Sequence, residues 1–328
     1  MEPLRRGYLS ALTANVLWGT FPLYFHALRA AGAVEVLAHR IVWSLVSIAV
    51  LLAVVRRWRR LGELLRNGRL VAGIAVAAVF IAVNWGVYIF AVNTDRVVEA
   101  SLGYFINPLF VILLGVLALR ERLRAAQWVA LGVGAVAVVV LSIDYGRLPW
   151  IALTLAGSFG SYGLIKKRLG LPAAEGLFME SGVLALPALG YLAWLSADGH
   201  STFGTISTGH SLLLAGSGLL TAVPLLLFAE AANRVPLSGL GMLQYLTPML
   251  QLLIGVAVFS EPLPPARLAG FAIVWCALAI FSWDAFRAAR RARAERAATR
   301  NAEPAARTPA ATSSSVEAAD AAAPTPAA

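Results

Sequence analysis

The stretch LVAGIAVAAVFIAVNWGVYIFAV, residues 70–92, decides the class of fold, because it contains no charged residue and few polar ones. A bilayer core about 30 Å thick requires roughly 20 apolar residues in a helix, and this stretch has that length. Similar stretches, broken by charged residues or by Pro and Gly, recur along the chain. We predict ten transmembrane helices at residues 7–28, 34–55, 70–92, 97–118, 127–143, 149–165, 173–194, 211–230, 236–258 and 266–284.

The composition supports a membrane protein. Hydrophobic residues make up 59% of the 328 residues and charged residues only 13%, which leaves too little polar surface for a soluble domain of this size. The net charge is +10, but the Lys and Arg residues lie in short clusters between apolar stretches and form no continuous basic face. We therefore predict a lipid bilayer as partner, and no nucleic acid.

The chain shows no sign of an enzyme. Its single cysteine, Cys276, excludes an intramolecular disulfide framework and a multi-thiolate metal site, and the four histidines lack ligand spacing. No hydrolase, metalloprotease or ATP-binding motif occurs. We expect no catalytic residue, no metal and no cofactor.

The basic residues predict the orientation. Most of the 27 Lys and Arg residues fall on one side of the ten-helix arrangement, and the other side carries only Arg29, Arg96, Arg147 and Arg267. Positive charge accumulates on the cytoplasmic side, so both termini are predicted to be cytoplasmic in a plasma (inner) membrane. Residues 286–328 read as a basic and then disordered cytoplasmic tail, which either binds anionic lipid or only anchors the topology.

The sequence predicts an internal repeat, with one copy at residues 1–145 and the other at residues 146–285. A shift of about 140 residues aligns the halves, including their prolines and acidic residues. Each copy holds five helices, and because five is odd the second copy enters the membrane from the opposite side. The fold class predicted is an all-α polytopic membrane protein with two inverted five-helix repeats. The aligned pairs include Pro108 with Pro248, Glu121 with Glu261, and Arg40 with Glu180.

Seven segments carry a resemblance to a known family: WGTFPLYF (18–25), LAHRIVWS (37–44), NWGVYIFAVN (84–93), EASLGYFINPLF (99–110), LRERLRAAQW (119–128), LPWIALTLAGSFGSYGL (148–164) and TAVPLLLFAEAANR (221–234). The chain resembles the RarD branch of the EamA-type transporters, in the drug/metabolite transporter superfamily, over about residues 7–284. The resemblance implies two EamA-type repeats and a carrier of small metabolites or drugs in the plasma membrane. It also implies an association with chloramphenicol, and it leaves the physiological substrate open.

Polar residues at bilayer depth are the first candidates for a substrate site, because they are costly there unless buried in protein or facing water. Asn84 and Tyr88 share a face of the third helix, with Trp85 beside Asn84. We expect all three to line a cavity. The alternative for Asn84 is a hydrogen bond that only joins two helices.

The fourth helix and its repeat counterpart both carry polar residues before a proline. A proline removes a backbone donor and can kink the helix, so we expect hinges at Pro108 and Pro248, with a packing kink as the alternative. The cavity-lining candidates beside them are Ser101, Tyr104, Asn107, Gln244 and Tyr245.

The second helix contributes His39 and Arg40, which lie deeper in the apolar stretch than snorkelling easily permits. We expect them to bind a substrate carboxylate, and inverted symmetry argues against a direct Arg40–Glu180 salt bridge. Trp18 and Trp43 could stack on an amphipathic solute, with core packing as the alternative. Glu121 and Glu261 are expected at opposite membrane faces, as structural or gating anchors or simply solvated at the interface.

The function predicted is a secondary transporter that moves a small amphipathic metabolite or drug by alternating access. A lining of amides and aromatic rings suits neutral, zwitterionic or amphipathic solutes. The alternative is a lipid flippase or a membrane-embedded enzyme that uses the same cavity. The oligomeric state stays open.

Overall fold

The computed structural model describes residues 2–56, 61–62, 64, 66–120, 123–232, 234–235 and 237–305. Within these residues the regular structure is helical throughout, with a short 3-10 turn at Arg29–Ala31 before the second helix. The helices are α1 (Glu2–Ala27), α2 (Gly32–Val54), α3 (Gly68–Asn93), α4 (Val97–Leu119), α5 (Ala125–Tyr145), α6 (Trp150–Leu169), α7 (Ala173–Ala197), α8 (Thr208–Ala232), α9 (Leu237–Gln244), α10 (Leu246–Ala257) and α11 (Pro265–Ala305).

The ninth apolar stretch forms two helices. α9 ends at Gln244 and α10 begins at Leu246, so the single helix predicted at 236–258 is interrupted at Tyr245. Pro248 explains the position of the break, because a proline ring clashes with the carbonyl of the residue four positions earlier, here Gln244. Pro108 lies inside α4, which continues without a break.

Seven of the described helices are long and apolar enough to cross a membrane: the α2 segment from Arg29, α3, α4 to Ala118, α5, α7, α8, and α11 to Ala288. The helices α1 and α6 and the divided α9–α10 pair are not among these seven. Large apolar side chains point outward, with Leu186 80%, Ile143 76% and Leu117 70% exposed. Such a surface suits lipid and would be unfavourable in water.

The helices of the two sequence halves pack against each other. α1 packs on α8 and α10, and α6 packs on α3 and α4. α2 contacts α7 and α8, and α4 contacts α10. The described residues up to Phe281 therefore form one compact unit, while the residues described from 282 onward belong to a second.

Two glycines allow close helix contacts. A Cβ on Gly218 of α8 would collide with the backbone of Trp43 and Ser44 in α2, and one on Gly103 of α4 would collide with the carbonyl oxygen of Ala152. Small residues at such crossings let helix backbones approach closely within a bilayer. The contact at Gly218 brings α8 against α2 beside Arg40.

The last helix continues through the predicted boundary of the tail. α11 runs to Ala305, so the basic segment after residue 284 extends this helix. The part of the predicted disordered tail at residues 306–328 lies outside the described residues, as does Glu121.

Candidate functional site

Arg40 of α2 lies at the centre of a group of aromatic rings. Its side chain is buried, and the guanidinium carbon lies 4.1 Å from the ring centroid of Trp85, 5.3 Å from that of Phe25 and 5.6 Å from that of Phe21. Arg40 Nε donates a hydrogen bond of 2.8 Å to Thr221 Oγ1 of α8. We refer to these five residues, from α1, α2, α3 and α8, as the Arg40 cage.

The charge of Arg40 has no acidic partner in the part of the chain that the structure describes, where no carboxylate lies within ion-pair distance of it. Burying a cation costs several kcal/mol unless other groups compensate for the lost hydration. The ring faces compensate in part, at up to about 2 kcal/mol for a desolvated cation–π contact. The cage therefore keeps a positive charge in an apolar setting.

Tyrosine side chains surround the cage. The ring of Tyr88 lies 6.1 Å from Phe25 and 5.8 Å from Tyr104, and its buried hydroxyl has no hydrogen-bond partner among the described residues. The Tyr104 hydroxyl donates a long hydrogen bond of 3.4 Å to Asn84 Oδ1. The Tyr24 ring also packs edge-on against Phe25, with centroids 5.6 Å apart. The structure thus brings together the predicted residues Arg40, Trp85, Tyr88 and Tyr104.

Asn84 is engaged in helix packing. Its side chain is buried, and Nδ2 donates to the carbonyl oxygen of Leu155 at 3.0 Å and to Ser158 Oγ at 3.1 Å. Both acceptors belong to α6, so Asn84 joins α3 to α6. These contacts favour the interhelical hydrogen bond over a direct role in solute binding.

His39 faces the connection between α7 and α8. Its ring stacks on Phe203 with centroids 4.9 Å apart. Buried Glu35, one turn earlier on α2, accepts a hydrogen bond of 2.8 Å from the backbone N–H of Thr202. Thr202 Oγ1 also lies 3.0 Å from His210 Nε2. His39 and Arg40 are adjacent in sequence but contact different parts of the structure. His39 packs against the connection between α7 and α8, whereas Arg40 lies in the cage.

A cavity separate from the Arg40 cage brings together the predicted residues Asn107, Pro108 and Gln244. They line a cavity of about 530 Å³ between α4, α5, α9 and α11, and the Asn107 Oδ1 atom is buried without a described partner. The lining shares no residue with the Arg40 cage. It consists of Asn107, Pro108, Val111, Ile112, Leu123, Arg124, Gln127, Gln244 and Phe281.

The remaining predicted residues make packing contacts. The Trp18 ring lies 5.5 Å from that of Phe228, and Ser101 donates to a carbonyl oxygen within its own helix. Trp43 is half-buried, with its backbone against Gly218. Tyr245 packs against the apolar cluster that includes Phe105. For Trp18 and Trp43 these contacts favour core packing, the alternative to stacking on a solute.

Charged groups stabilise the helix ends. Glu180 pairs with Lys166 at 2.7 Å, consistent with the expectation of no direct Arg40–Glu180 bridge. Glu261 accepts hydrogen bonds from the backbone N–H groups of Val97 and Val98, at the start of α4. Burial raises the pKa of Glu261, and the two backbone donors oppose that rise. Glu261 is therefore an anchor between the α10–α11 connection and α4.

The hydrogen bond to Glu99 raises the pKa of Arg147, which follows α5. The two side chains pair through both guanidinium nitrogens Nη1 and Nη2, at 3.2 and 2.7 Å. Within the described ranges, no group of three or more His, Cys, Asp and Glu side chains could hold a metal ion.

Sequence reasoning missed Phe21, Phe25 and Thr221. The two phenylalanines are four residues apart on α1, a spacing that places them on one helix face but is common in any apolar helix. Thr221 lies within α8, where a single hydroxyl gives little signal. Only the tertiary contact with Arg40 distinguishes these residues.

Comparison with known proteins identifies the family. The EamA-like transporter family matches residues 5–143. Protein RarD of Streptomyces exfoliatus is 57% identical over 290 residues, covering 88% of this chain and 92% of that protein. Uncharacterized transporter YojE of Bacillus subtilis is 43% identical over 285 residues, covering 85% and 94% respectively.

A solved crystal structure also resembles the chain, with a TM-score of 0.54 over 86% of this chain and 98% of the other. At 21% identity this likeness shows a shared fold alone. The sequence relatives go further, since they match nearly their whole length and are named RarD or transporter. The chain is therefore a RarD-type member of the EamA-like transporter family and a multi-pass membrane protein.

Proposed function

We propose that the protein is a secondary transporter that moves a small amphipathic solute across the plasma membrane by alternating access. The reciprocal packing of the two halves carries the proposal. The repeat register pairs α1 with α6, α3 with α8, and α4 with α10, and α1 packs on α8 and α10 just as α6 packs on α3 and α4. Such an exchange is expected when two inverted repeats enclose a central site.

The same register supports ten membrane crossings with both termini in the cytoplasm. In that orientation the connection at residues 201–203 lies outside, and the cavity lined by Asn107 and Gln244 lies toward the cytoplasm. Reporter fusions at Arg5 and Arg290 should read cytoplasmic, while a fusion at Gly199 should read external. A cytoplasmic signal from Gly199 would contradict the ten-crossing arrangement.

The break at Tyr245 supports a hinge in the second half. A discontinuous helix can bend with little loss of backbone hydrogen bonding, which suits a rocking motion of one half against the other. Pro108 occupies the related position in α4 and already lacks a backbone donor. We propose that these two prolines allow α4 and the α9–α10 pair to open the central region alternately to each side.

Reconstitution tests the proposed function. The full chain is placed in proteoliposomes preloaded with a mixture of unlabelled small metabolites and drugs, including chloramphenicol because of the RarD branch. Labelled members of the mixture are then added outside. Counterflow above that of protein-free liposomes supports the carrier, and the same liposomes without internal solute serve as the second control.

A fluorescent-lipid scrambling assay on the same proteoliposomes separates the carrier from a flippase. Lipid exchange without solute counterflow would contradict the proposed function. Solute counterflow at a background rate of lipid exchange supports it.

A further inference from the structure

The Arg40 cage presents unused hydrogen-bond donors as well as charge. Of the three guanidinium nitrogens of Arg40, only Nε donates a hydrogen bond to a described residue, Thr221. Nη1 and Nη2 have no hydrogen-bond partner among the described residues. The buried hydroxyl of Tyr88 also lacks a described partner. A buried donor without an acceptor costs about 1–3 kcal/mol, which applies to the Tyr88 hydroxyl, and an acceptor between Arg40 and Tyr88 would satisfy the donors of both side chains.

A carboxylate matches these donors. The two terminal nitrogens of a guanidinium lie in one plane at the spacing of the two carboxylate oxygens, and such charge-assisted pairs are strong when desolvated. The Tyr88 hydroxyl can donate to the same anion, and Tyr104 holds its present acceptor only weakly, at 3.4 Å. The rest of the cage, formed by Phe21, Phe25 and Trp85, places aromatic rings around the guanidinium, so a carboxylate bound there would carry its apolar body among apolar side chains.

The charges in the cage restrict the class of anion. Arg40 is the only cation that the described contacts place there, so a dianion such as phosphate would keep a charge without a partner in a buried site. No described carboxylate is paired with Arg40 or lies free in the cage for a solute ammonium group. Glu35 is engaged by the Thr202 backbone. A monocarboxylate without an amino group fits best.

We propose that the Arg40 cage is the binding site for a small monocarboxylate with an aromatic or similarly apolar body. Arg40 binds the carboxylate through Nη1 and Nη2, Tyr88 donates a further hydrogen bond, and the rings of Trp85 and Phe25 pack against the body. This rests on the proposed carrier function, because Arg40 and Tyr88 are buried in the present arrangement and the solute must enter when the halves move apart.

Ligand binding to the purified full-length protein in detergent tests the proposal. The probes are phenylacetate and indole-3-acetate, their neutral amides at equal concentration, and inorganic phosphate. Each carboxylate should raise the melting temperature in a saturable way, because a ligand that binds only the folded state stabilises it, and the amides and phosphate should not. Equal shifts from the amides, or no shift from either carboxylate, would overturn the proposal.

Substitutions assign the effect to the cage. Arg40→Gln should raise the half-saturating carboxylate concentration by roughly tenfold or more, the loss expected for a charged hydrogen-bonded pair. Tyr88→Phe should raise it by about threefold to tenfold, the loss of one hydrogen bond. Exposed Arg29 provides the matched control, since Arg29→Gln removes the same charge from a residue outside the cage and should bind like the wild type.

Two variants keep the test decisive if Arg40→Gln does not fold. Arg40→Lys retains the charge but loses the forked geometry, so it should bind carboxylates more weakly than the wild type. Tyr88→Phe removes only an unpartnered hydroxyl and should fold normally. Wild-type affinity in both variants would overturn the assignment of the site.

Counterflow of labelled phenylacetate separates this proposal from the carrier function. Saturable carboxylate binding without counterflow of any solute would support the carboxylate site and contradict the proposed carrier function. Counterflow of neutral solutes by a protein that binds no carboxylate would support the carrier function and overturn the carboxylate site.

Discussion

Lys166 Nζ lies 2.7 Å from Glu180 Oε1, and this ion pair joins α6 to α7 with the carboxylate almost wholly buried. Tyr162 adds a hydrogen bond of 3.1 Å to the other carboxylate oxygen. Lys166→Met should therefore lower the free energy of unfolding by about 3 kcal/mol, because it leaves the buried Glu180 charge without its cation. Chemical denaturation in detergent micelles measures the loss.

The double variant Lys166→Met/Glu180→Gln is the control for that prediction. It removes both charges and should recover part of the stability that the single Lys166 variant loses. Equal stabilities of the single and double variants would show that the pair contributes no charge interaction.

Asn84 and Tyr88, one turn apart on α3, should respond differently to removal of their polar atoms. Asn84→Leu removes two hydrogen bonds to α6 and should lower the free energy of unfolding by about 1–2 kcal/mol. Tyr88→Phe removes a hydroxyl without a described partner and should leave the stability unchanged or slightly higher. Melting temperatures measured beside membrane abundance compare the two.

Transport measured on the same samples decides the role of Asn84. If Asn84→Leu melts like the wild type but no longer transports, Asn84 contacts the solute and the packing interpretation is wrong. If transport falls only as abundance and melting temperature fall, Asn84 joins α3 to α6.

The helices were predictable because lipid imposes a simple length rule. The fourth stretch, predicted at 97–118, is observed at Val97–Leu119.

The two prolines show that the length rule does not predict whether a helix breaks within its span. Pro108 lies in a continuous helix whose preceding turn is held by the contact of Gly103 with Ala152, whereas the helix before Pro248 exposes Met242 and breaks. The proline is identical in both, so the proline alone does not determine whether the helix breaks.

A site residue could be predicted from the sequence only where its own burial in the membrane is unfavourable. Arg40 could be recognised because a cation within an apolar stretch has a large free-energy cost and is usually retained for a function. Its partner Thr221 is 181 positions away along the chain, and no periodicity connects the two. For Asn84 the sequence allowed both a hydrogen bond between helices and a solute contact, and the position of Ser158 on α6 favours the first.

The contact of Gly218 with the α2 backbone should not tolerate a methyl group. Gly218→Ala places a carbon against the backbone of Trp43 and Ser44, which a rotamer change cannot relieve, so α8 must move away from α2. We expect a loss of about 1–3 kcal/mol, typical of overpacking. The shift should also disturb the Thr221–Arg40 hydrogen bond one turn further along α8.

Gly190 of α7 is the matched control for that substitution, because a Cβ there meets nothing within 4 Å. Gly190→Ala should leave the melting temperature unchanged or raise it slightly, since alanine favours the helix over glycine by roughly 0.5–1 kcal/mol. A Gly218→Ala variant as stable as Gly190→Ala would contradict the close α2–α8 contact.

Glu261 should make the stability of the protein depend on pH. Burial raises its pKa above the ordinary value of 4.5, and the nearby Asp95 carboxylate acts in the same direction, while the Val97 and Val98 backbone donors and Arg267 oppose the rise. A carboxyl group with a raised pKa in the folded state contributes most stability below its ordinary pKa and loses that contribution as the pH rises through the folded value.

The Glu261→Gln variant is the reference for this prediction, because it keeps a neutral hydrogen-bond acceptor at this position and has no carboxyl group to titrate. The melting temperature of the wild type relative to Glu261→Gln should therefore rise as the pH is lowered from 7 to 4. A difference that stays constant across this range, or that falls toward acid, would show that the two backbone donors outweigh burial and that the charged carboxylate is the favoured form at the start of α4.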